Sequence, residues 1–529
     1  MWSFAVWDQD GPAKDWPIEQ AYLVGADELP AQAEIALRDG CIVCEKASPE
    51  AAGLCVLFPV GDARLYLRTC VLPSRAEAYV LSLELARHRI MLFLNKLEQW
   101  SLFELPADDP IMALFERARL EFTAALVALR HDGPAAADAT SRRALGLAVE
   151  AGERLTLLQA DRQVKTRLDR SLYDDALERA GDAAGPDRSL PENAAKNPDG
   201  VGLVLPQPAL LGVAVAPGGF GESLTRVAGS LDFVTVPMRW IDMEPTEGRY
   251  AFAKTDRWIE WAVRQAKVGV VAGPLIDFRE LCVPEWLYIW EHDYETLREL
   301  VYEHVKTLVT RYRRTISRWT VCSGLHVNES FALTLERMMD LTRLCSLLVK
   351  KLHPAGKVQV EMSRPWGEYH AKNKRSMPPK MYADAVAQAG VVVDAFALRI
   401  QMGDPSQGRL TRDLMALSEL LDRYAELDRP IAVTAIGVPS QPITPASGTD
   451  PSLAGVWGGG WSPETQARWL KEAVAIAASK PYVVSVCWQE LYDSPEADMP
   501  AGGLLTDAGA AKPAANALID LRRSLMLKR

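Results

Sequence analysis

The sequence lacks the features that mark membrane, disulfide-rich secreted and nucleic-acid-binding proteins. Its 529 residues contain no run of the ~18 apolar residues that a membrane-spanning helix needs. The eight cysteines are scattered, mostly inside apolar runs, so we expect reduced core thiols rather than a disulfide framework. A formal net charge of −10 argues against nucleic acid as the main partner, because phosphate binding favours a basic surface.

Motifs for metals, nucleotides and flavins are also missing. There is no Walker-type loop, no HExxH, and no GxGxxG that follows a predicted strand. Cys41 and Cys44 form a lone CxxC with no second pair and no nearby histidine, which does not make a zinc site. We therefore expect no cofactor. Residues 1–8 lack the basic start and apolar middle of a signal peptide, so the chain as given is expected to be cytoplasmic.

Residues 1–80 predict a small β-rich domain. Arg64 to Val71 alternates polar and apolar residues, as a half-buried strand does. Glu34 to Glu45 and Gly53 to Val60 are interpreted as neighbouring strands, with a turn at Asp39-Gly40. The pattern favours an antiparallel sheet or sandwich, which is either a packing domain or a carbohydrate-binding module.

Residues 81–180 predict a helical segment. Asp109 and Pro110 form a good helix start, with a capping side chain followed by a residue that has no N–H to satisfy. A longer helical stretch is expected from about Ala139 to Ala180. Residues 181–205 are rich in Gly, Pro, Asn and Asp and are interpreted as a linker. The helical segment is a candidate interface for a homo-oligomer.

From residue 206 to 529, short β-rich runs alternate with amphipathic runs of helical length. Eight strand–helix pairs in this length predict a (β/α)8 TIM barrel, and the apolar strands suit a sheet covered by helices. The predicted strands are Leu210–Ala216, Phe233–Pro237, Gly269–Leu275, Arg318–Ser323, Val358–Met362, Val393–Arg399, Ile431–Ile436 and Val483–Trp488.

The seventh of these runs raises the question of catalysis. In a parallel barrel the C-terminal strand ends carry the chemistry. Ile431 to Ser440 is such a strand, and at the place where a reactive side chain would point it has Ala435, which cannot react.

Residues 207–526 resemble glycoside hydrolase family 10, the retaining endo-xylanases. The block from Met238 to Phe252, followed by Asp256, is similar to the family's block after strand two. Val283 to Trp286 is similar to its Leu-Pro-x-Trp, and Gly502 to Asp507 resembles its closing motif. The resemblance implies a xylan-type oligo- or polysaccharide as ligand, with neither nucleic acid nor membrane as partner.

The departures from the family lie where the chemistry should be. Retaining glycosidases need two carboxyl groups about 5–5.5 Å apart, one as nucleophile and one as acid/base. The family's nucleophile falls on Ala435, and its acid/base falls on Ser323-Gly324. An Asn-Glu pair occurs later, at Asn328-Glu329. Glu329 either reaches over the barrel mouth through a longer loop or lies at the start of a helix, where the macrodipole favours a carboxylate.

Other sugar-binding positions of the family differ as well. The Glu, Asn and Lys that contact xylan after strand two fall on Thr235, Val236 and Arg239, so only the cation is kept. The Trp-His after strand three falls at about Asp277-Phe278, and the Gln and His of strand six fall on Arg399 and Gln401.

The mouth still has candidates for a site. Carboxyl groups that could replace the missing pair, including in an inverting mechanism with a wider separation, are Asp277, Glu329, Glu361 and Glu490. Sugars stack on aromatic rings and bond to polar groups. Candidate binding residues are Arg239, Trp240, Asp277, Trp366, Arg399, Gln401, Trp457, Trp461 and Trp488.

Three hypotheses follow from this pattern. The first is a glycan-binding pseudoenzyme without retaining hydrolysis. The second is an active glycosidase that uses relocated carboxylates, and the third is an assembly protein whose barrel mouth is vestigial. Ala435 as an engineered inactivating change is a further alternative, which the second loss at Ser323-Gly324 disfavours.

Overall fold

A computed structural model describes residues 2–168 and 209–525, apart from positions 9, 47, 217, 407, 446 and 447. The predicted linker, 181–205, lies outside the described residues, and so does the predicted helical segment beyond residue 168. No helix within the described ranges combines the length and apolarity needed to cross a bilayer.

The N-terminal region forms two four-stranded sheets. One has the order Tyr79–Val80, Trp2–Ala5, Cys41–Lys46, Ala33–Arg38, and the other the order Pro30–Ala31, Tyr22–Gly25, Ala52–Val60, Ala63–Arg68. A short ladder joins Trp7–Asp8 to Gly11–Pro12. The predicted turn at Asp39-Gly40 is present, and both residues have positive φ, 48° and 72°, as a tight hairpin requires.

Three helices follow: α1 (Leu81–Gln99), α2 (Pro110–His131) and α3 (Pro134–Leu168). Asp109 caps α2 as expected, since its carboxylate accepts a hydrogen bond from the Ile111 N–H at 2.8 Å. Phe93 of α1 stacks on Phe115 of α2 with ring centroids 4.1 Å apart. This apolar cluster also includes Met415 of the barrel, so the helices pack directly on it.

The C-terminal region is the predicted (β/α)8 barrel. Each strand is parallel to its neighbours, and the third also pairs with the fourth, which closes the ring. Barrel strands 1 to 8 are Leu210–Ala214, Phe233–Val236, Gly269–Ala272, Arg318–Ser323, Lys357–Ser363, Ala395–Gln401, Ile431–Gly437 and Val483–Trp488. A short strand, Ile276–Asp277, pairs with the end of barrel strand 4, and Glu490–Tyr492 pairs with Gly503–Leu505 beyond barrel strand 8.

Helices cover the outside of the barrel. The α-helices are Glu222–Ala228, Trp240–Met243, Ala253–Glu260, Tyr294–Tyr312, Leu335–Leu352, Pro379–Gln388, Leu414–Ala425, Pro463–Ser479 and Pro513–Ser524. A π-helical turn, Trp261–Ala266, continues the third of these, and 3-10 turns occur at Glu280–Cys282, Glu285–Trp290, Glu368–Ala371 and Pro451–Ala454.

One sequence-based helix start is wrong. The helix after barrel strand 4 begins at Leu335, because Thr334 caps it by accepting the Arg337 N–H. Glu329 therefore lies in the preceding loop, and the interpretation of Glu329 as a helix N-terminal carboxylate is wrong.

The barrel interior changes character along its axis. Near the middle, Phe233 fills the space beside Gly212, where an added Cβ would meet the ring at 2.6 Å. Thr235 and Cys487 lie in the same layer, with Oγ1 and Sγ 3.3 Å apart. Towards the C-terminal ends the interior becomes polar and charged, which creates the mouth described next.

Candidate functional site

Glu361 of barrel strand 5 lies at the centre of the mouth and is 1% exposed. Its Oε1 accepts hydrogen bonds from Ser323 Oγ at 2.7 Å and from Arg399 Nε at 3.0 Å. Its Oε2 accepts a hydrogen bond from the Thr434 hydroxyl. Groups from barrel strands 4, 6 and 7 thus hold both oxygens of this carboxylate.

Asp277 follows barrel strand 3 and is paired in the same manner. Arg279 donates to both of its oxygens, with Nε 3.0 Å from each and Nη2 2.6 Å from Oδ2. Gly324 makes room for this pair, since an added Cβ would meet Arg279 Cγ at 2.9 Å and Asp277 Oδ1 at 3.1 Å. The glycine at the expected acid/base position therefore accommodates an ion pair.

Asp498 links these two pairs, and sequence reasoning missed it. It lies on the loop between Glu490–Tyr492 and Gly503–Leu505, which crosses the mouth. Its Oδ2 accepts hydrogen bonds from Arg279 Nη1 at 2.9 Å and from Arg399 Nη1 at 3.0 Å. Burial alone would raise the pKa of Asp498, but Arg279, Arg399 and Arg409 outweigh that effect and hold it far below its usual range.

We call this chain of Asp277, Arg279, Asp498, Arg399 and Glu361 the mouth cluster. Pattern could not have found Asp498, because its loop has no strand or helix periodicity and no motif. Only the fold brings residue 498 between barrel strands 3 and 6.

Glu490 differs from the mouth cluster in its protonation. Burial raises its pKa to about 8 and the negative charge of Asp498 adds to the effect, while Arg399 and Arg239 oppose it. The half-buried Glu490 is therefore mostly a neutral acid at pH 7. Arg239 itself binds Asp242 at 2.6 Å on the rim.

Neither expected catalytic position carries a carboxyl group. Ala435 is the register partner of Arg399 in the neighbouring strand and is 1% exposed. Glu329 forms an ion pair with Arg364, and its side chain is 31% exposed. The amide of Asn328 bonds to the carbonyls of Leu333 and Arg375, so this Asn-Glu pair serves local loop structure.

Most of the predicted aromatic residues are packed inside the protein. Trp240 stacks on His304 with centroids 4.1 Å apart, and Trp488 donates to the Gly502 carbonyl at 2.9 Å. Trp457 donates to Glu153 at 2.8 Å, and Trp461 is 7% exposed.

Trp366 is half-buried and lies under the Arg412 guanidinium, at a cavity next to the N-terminal sheet. The structure therefore gathers Asp277, Glu361, Arg399 and Glu490 at the mouth but does not add the tryptophans as open faces there.

Three buried polar atoms near the strand ends have no protein partner: Ser363 Oγ, Gln401 Nε2 and Gln489 Oε1. They belong to barrel strands 5 and 6 and to the residue after barrel strand 8. Buried donors and acceptors without protein partners normally bond to water or to a ligand. Elsewhere, the described residues contain no group of three or more His, Cys, Asp or Glu positioned to hold a metal ion.

One family model matches part of the barrel. Residues 211–348, from barrel strand 1 to the helix after strand 4, match the family model described as Glycosyl hydrolase family 10.

Similar solved structures include native xylanase 10B from Thermotoga maritima, with 17% identity over 60% of this chain and 95% of that chain and a TM-score of 0.45. A GH10 structure from Paenibacillus barcinonensis has 17% identity over 61% and 96%, with a TM-score of 0.44. The match of residues 211–348 to this family model confirms the resemblance to family 10 that the sequence motifs predicted.

Proposed function

We propose that the barrel binds a glycan at its mouth and does not hydrolyse it by the retaining mechanism. One observation carries this proposal. Two carboxylates of the mouth, Glu361 and Asp277, are fixed in ion pairs with arginines, and the positions that the sequence resemblance aligns with the family's catalytic carboxyl groups hold Ala435 and Gly324. Retaining hydrolysis needs a free carboxylate opposite a carboxylic acid.

The unpaired polar atoms at the strand ends support glycan binding. Gln401 Nε2 is a donor and Gln489 Oε1 an acceptor, and sugar hydroxyl groups bond to both kinds of atom. The match to a family of glycoside hydrolases favours a sugar over other polar ligands.

The proposal is tested by measuring hydrolysis and binding together. We expect no turnover of aryl β-xylosides or xylan above background, and binding of xylotriose in isothermal titration calorimetry. Ala435→Glu alone should not create turnover, because the expected acid/base position still holds Gly324. Turnover at enzyme-like rates that Glu361→Gln or Glu490→Gln abolishes would overturn the non-hydrolytic proposal.

Hydrolysis by an inverting route is a second candidate, favoured by Glu490. A carboxyl group with a pKa of about 8 is protonated at neutral pH, as a general acid must be. This route lacks a good general base. Arg279, Arg399 and Arg409 hold the pKa of Asp498 far below its usual range, so Asp498 is a poor proton acceptor. This route predicts activity that falls as Glu490 ionises above pH 8 and is lost in Glu490→Gln, and a flat, background-level profile rejects it.

A further inference from the structure

The guanidinium groups of Arg279 and Arg399 meet at one point above the mouth. Arg279 and Arg399 each use part of the guanidinium to bind a carboxylate at a barrel strand end, Asp277 and Glu361 respectively. Their remaining Nη1 groups converge on a single oxygen, Oδ2 of Asp498. Because the strand-end partners fix both guanidinium groups, the converging arms form a preorganised site for one carboxylate oxygen.

The carboxylates on the two sides of this site are held differently. Asp277 and Glu361 belong to strand ends and are 1% exposed. Asp498 comes from a loop, and no residue from Ser494 to Asp498 is fully buried. Met499, with 0% exposure, anchors the next part of the loop, and Gln489 Nε2 lies 2.9 Å from its sulfur. Movement of Asp498 therefore requires rearrangement of the partly exposed segment 494–498, including release of the Asp498 carbonyl from Arg409 Nη1, which donates to it at 2.7 Å.

We propose that Asp498 occupies the place of a ligand carboxylate, and that the glycan bound at the mouth carries a uronic acid. This inference rests on the proposed glycan-binding function and names the sugar class. The uronate carboxylate replaces Asp498 on Arg279 and Arg399, and the sugar hydroxyl groups bond to the unpaired atoms of Gln401 and Gln489.

The surrounding charges favour an anionic ligand once Asp498 has moved. Arg239 and Arg409 lie close enough for their charges to act on Glu490 and Asp498 respectively. Glu490 is neutral below about pH 8, so it does not repel an incoming carboxylate at pH 7. A neutral sugar has no negative charge to pair with Arg279 and Arg399, so it competes with Asp498 less well.

The test compares two ligands and three kinds of variant by isothermal titration calorimetry. The ligands are xylotriose and xylotriose carrying one glucuronic acid. We expect the wild-type protein to bind the acidic ligand about tenfold more tightly than the neutral one. Asp498→Asn should raise affinity for the acidic ligand by a further factor of about ten, because the internal competitor is gone. Glu496→Gln, an exposed carboxylate on the same loop, is the matched control and should change nothing.

Arginine variants and the dependence on salt concentration provide a second test. Arg399→Gln should abolish the preference for the acidic ligand. Arg399→Lys keeps the positive charge but loses the guanidinium group that can bond to two partners at once, so it should reduce the preference. The preference should also decline as salt increases, since screening weakens ion pairs. Thermal unfolding of each variant shows whether it has folded.

The outcomes distinguish failure of the uronate inference from failure of the proposed glycan binding. Equal affinity for the two ligands, with no effect of Asp498→Asn, overturns the uronate inference and leaves glycan binding standing. Failure of both ligands to bind overturns both. Binding of acetate as tightly as the acidic trisaccharide also overturns the inference, because the site would then recognise any carboxylate.

Discussion

Arginines and carboxylates are buried together in two places, and the two places differ in what holds the acids. The mouth cluster includes one acid on a loop. The interface cluster lies between the N-terminal region and the barrel. It contains Arg89 of α1 paired with Asp413, and Arg412 paired with Glu368 within the barrel and donating to the Tyr22 hydroxyl of the N-terminal sheet, with Arg68 and the partly exposed Glu28 paired at its edge. Its acids and bases come from packed strands, helices and turns on both sides. Similar ion pairs therefore serve as a joint in one place and, in our proposal, as a contact that a ligand replaces in the other.

A cavity of about 60 Å³ shows how tightly the joint is built. It is lined by side chains of the N-terminal sheet, such as Tyr22 and Tyr66, and by Arg412 and Trp366 of the barrel. This volume holds a few water molecules. The unpaired Nδ1 of His88 and Nε of Arg89 give such waters partners. The charged groups here fix the N-terminal region to the barrel.

The largest effect is expected from breaking the joint. Glu368→Gln leaves Arg412 without its carboxylate where both side chains are under 5% exposed. Loss of one partner from a buried ion pair costs about 3–5 kcal/mol of unfolding free energy. Chemical denaturation followed by tryptophan fluorescence measures it. Arg264→Met, in an exposed pair with Glu260, is the control and should cost under about 0.5 kcal/mol. Equal effects in the two variants would contradict the assignment of the cluster as a joint.

A smaller loss is expected at the strand-borne half of the mouth cluster. Glu361→Gln keeps the size of the side chain and some hydrogen bonds with Ser323 and Thr434 but removes the charge facing Arg399. Because Arg399 still has Asp498, we expect a cost of about 2–3 kcal/mol by the same denaturation measurement. A loss equal to that of Glu368→Gln would mean that the mouth is as rigid as the joint.

Glu490 should give the mouth a pH dependence that the joint lacks. Its pKa of about 8 is above the unfolded value of about 4.3, so the folded state binds more protons between these limits. Stability from this group is complete below about pH 4 and declines as pH rises towards 8. In Glu490→Gln that decline should disappear, so the variant gains about 2 kcal/mol relative to wild type between pH 5 and 8. A pH-independent difference would contradict the raised pKa.

The difference in unfolding free energy between wild type and Glu490→Gln does not include the contribution of Glu153. This second acid has a pKa raised to about 7 by burial, with the nearby charge of Asp413 adding to the effect. Glu153 is unchanged in Glu490→Gln, so its pH dependence cancels in the difference.

The smallest change in stability is expected at the loop-borne acid. Asp498→Asn removes the charge shared by Arg279 and Arg399, but each arginine keeps its strand-end partner. We expect a cost of about 1 kcal/mol in the denaturation measurement, below that of Glu361→Gln. A cost above that of Glu361→Gln would show that the loop is a structural latch and would weaken the replaceable-contact interpretation.

Much of the fold could be predicted, because local pattern carries it. Barrel strands 4 and 8 were predicted with the observed ends, Arg318–Ser323 and Val483–Trp488, since each is a buried β-rich run bounded by turn residues. The start of the helix at Leu335 was missed, because Asn328 turns the chain with a φ of 57° and its amide holds a loop where amphipathic spacing already suggested a helix.

Prediction of the site was less complete. Asp277, Glu361 and Arg399 do meet at the mouth, since the carboxyl ends of barrel strands must converge. Trp457 and Trp461 were expected as sugar-binding faces, but their loop folds inward and buries both rings. Exposure of a loop tryptophan depends on contacts from distant elements, such as the hydrogen bond from Trp457 to Glu153 of α3, and spacing along the chain does not encode these contacts.

By itself, the sequence determined that eight strand–helix units close into a (β/α)8 barrel, and it placed Ala435 and Gly324 where the resemblance leads one to expect two acids. Only the tertiary structure decided what the remaining acids do. It brings Asp498, from a loop without a sequence pattern, to the guanidinium groups of Arg279 and Arg399, and it partly buries Glu490 near the negative charge of Asp498. The reason is physical: composition fixes which charges exist, whereas the energy of a charge depends on its distance to others and on its burial, which arise only when the chain is folded.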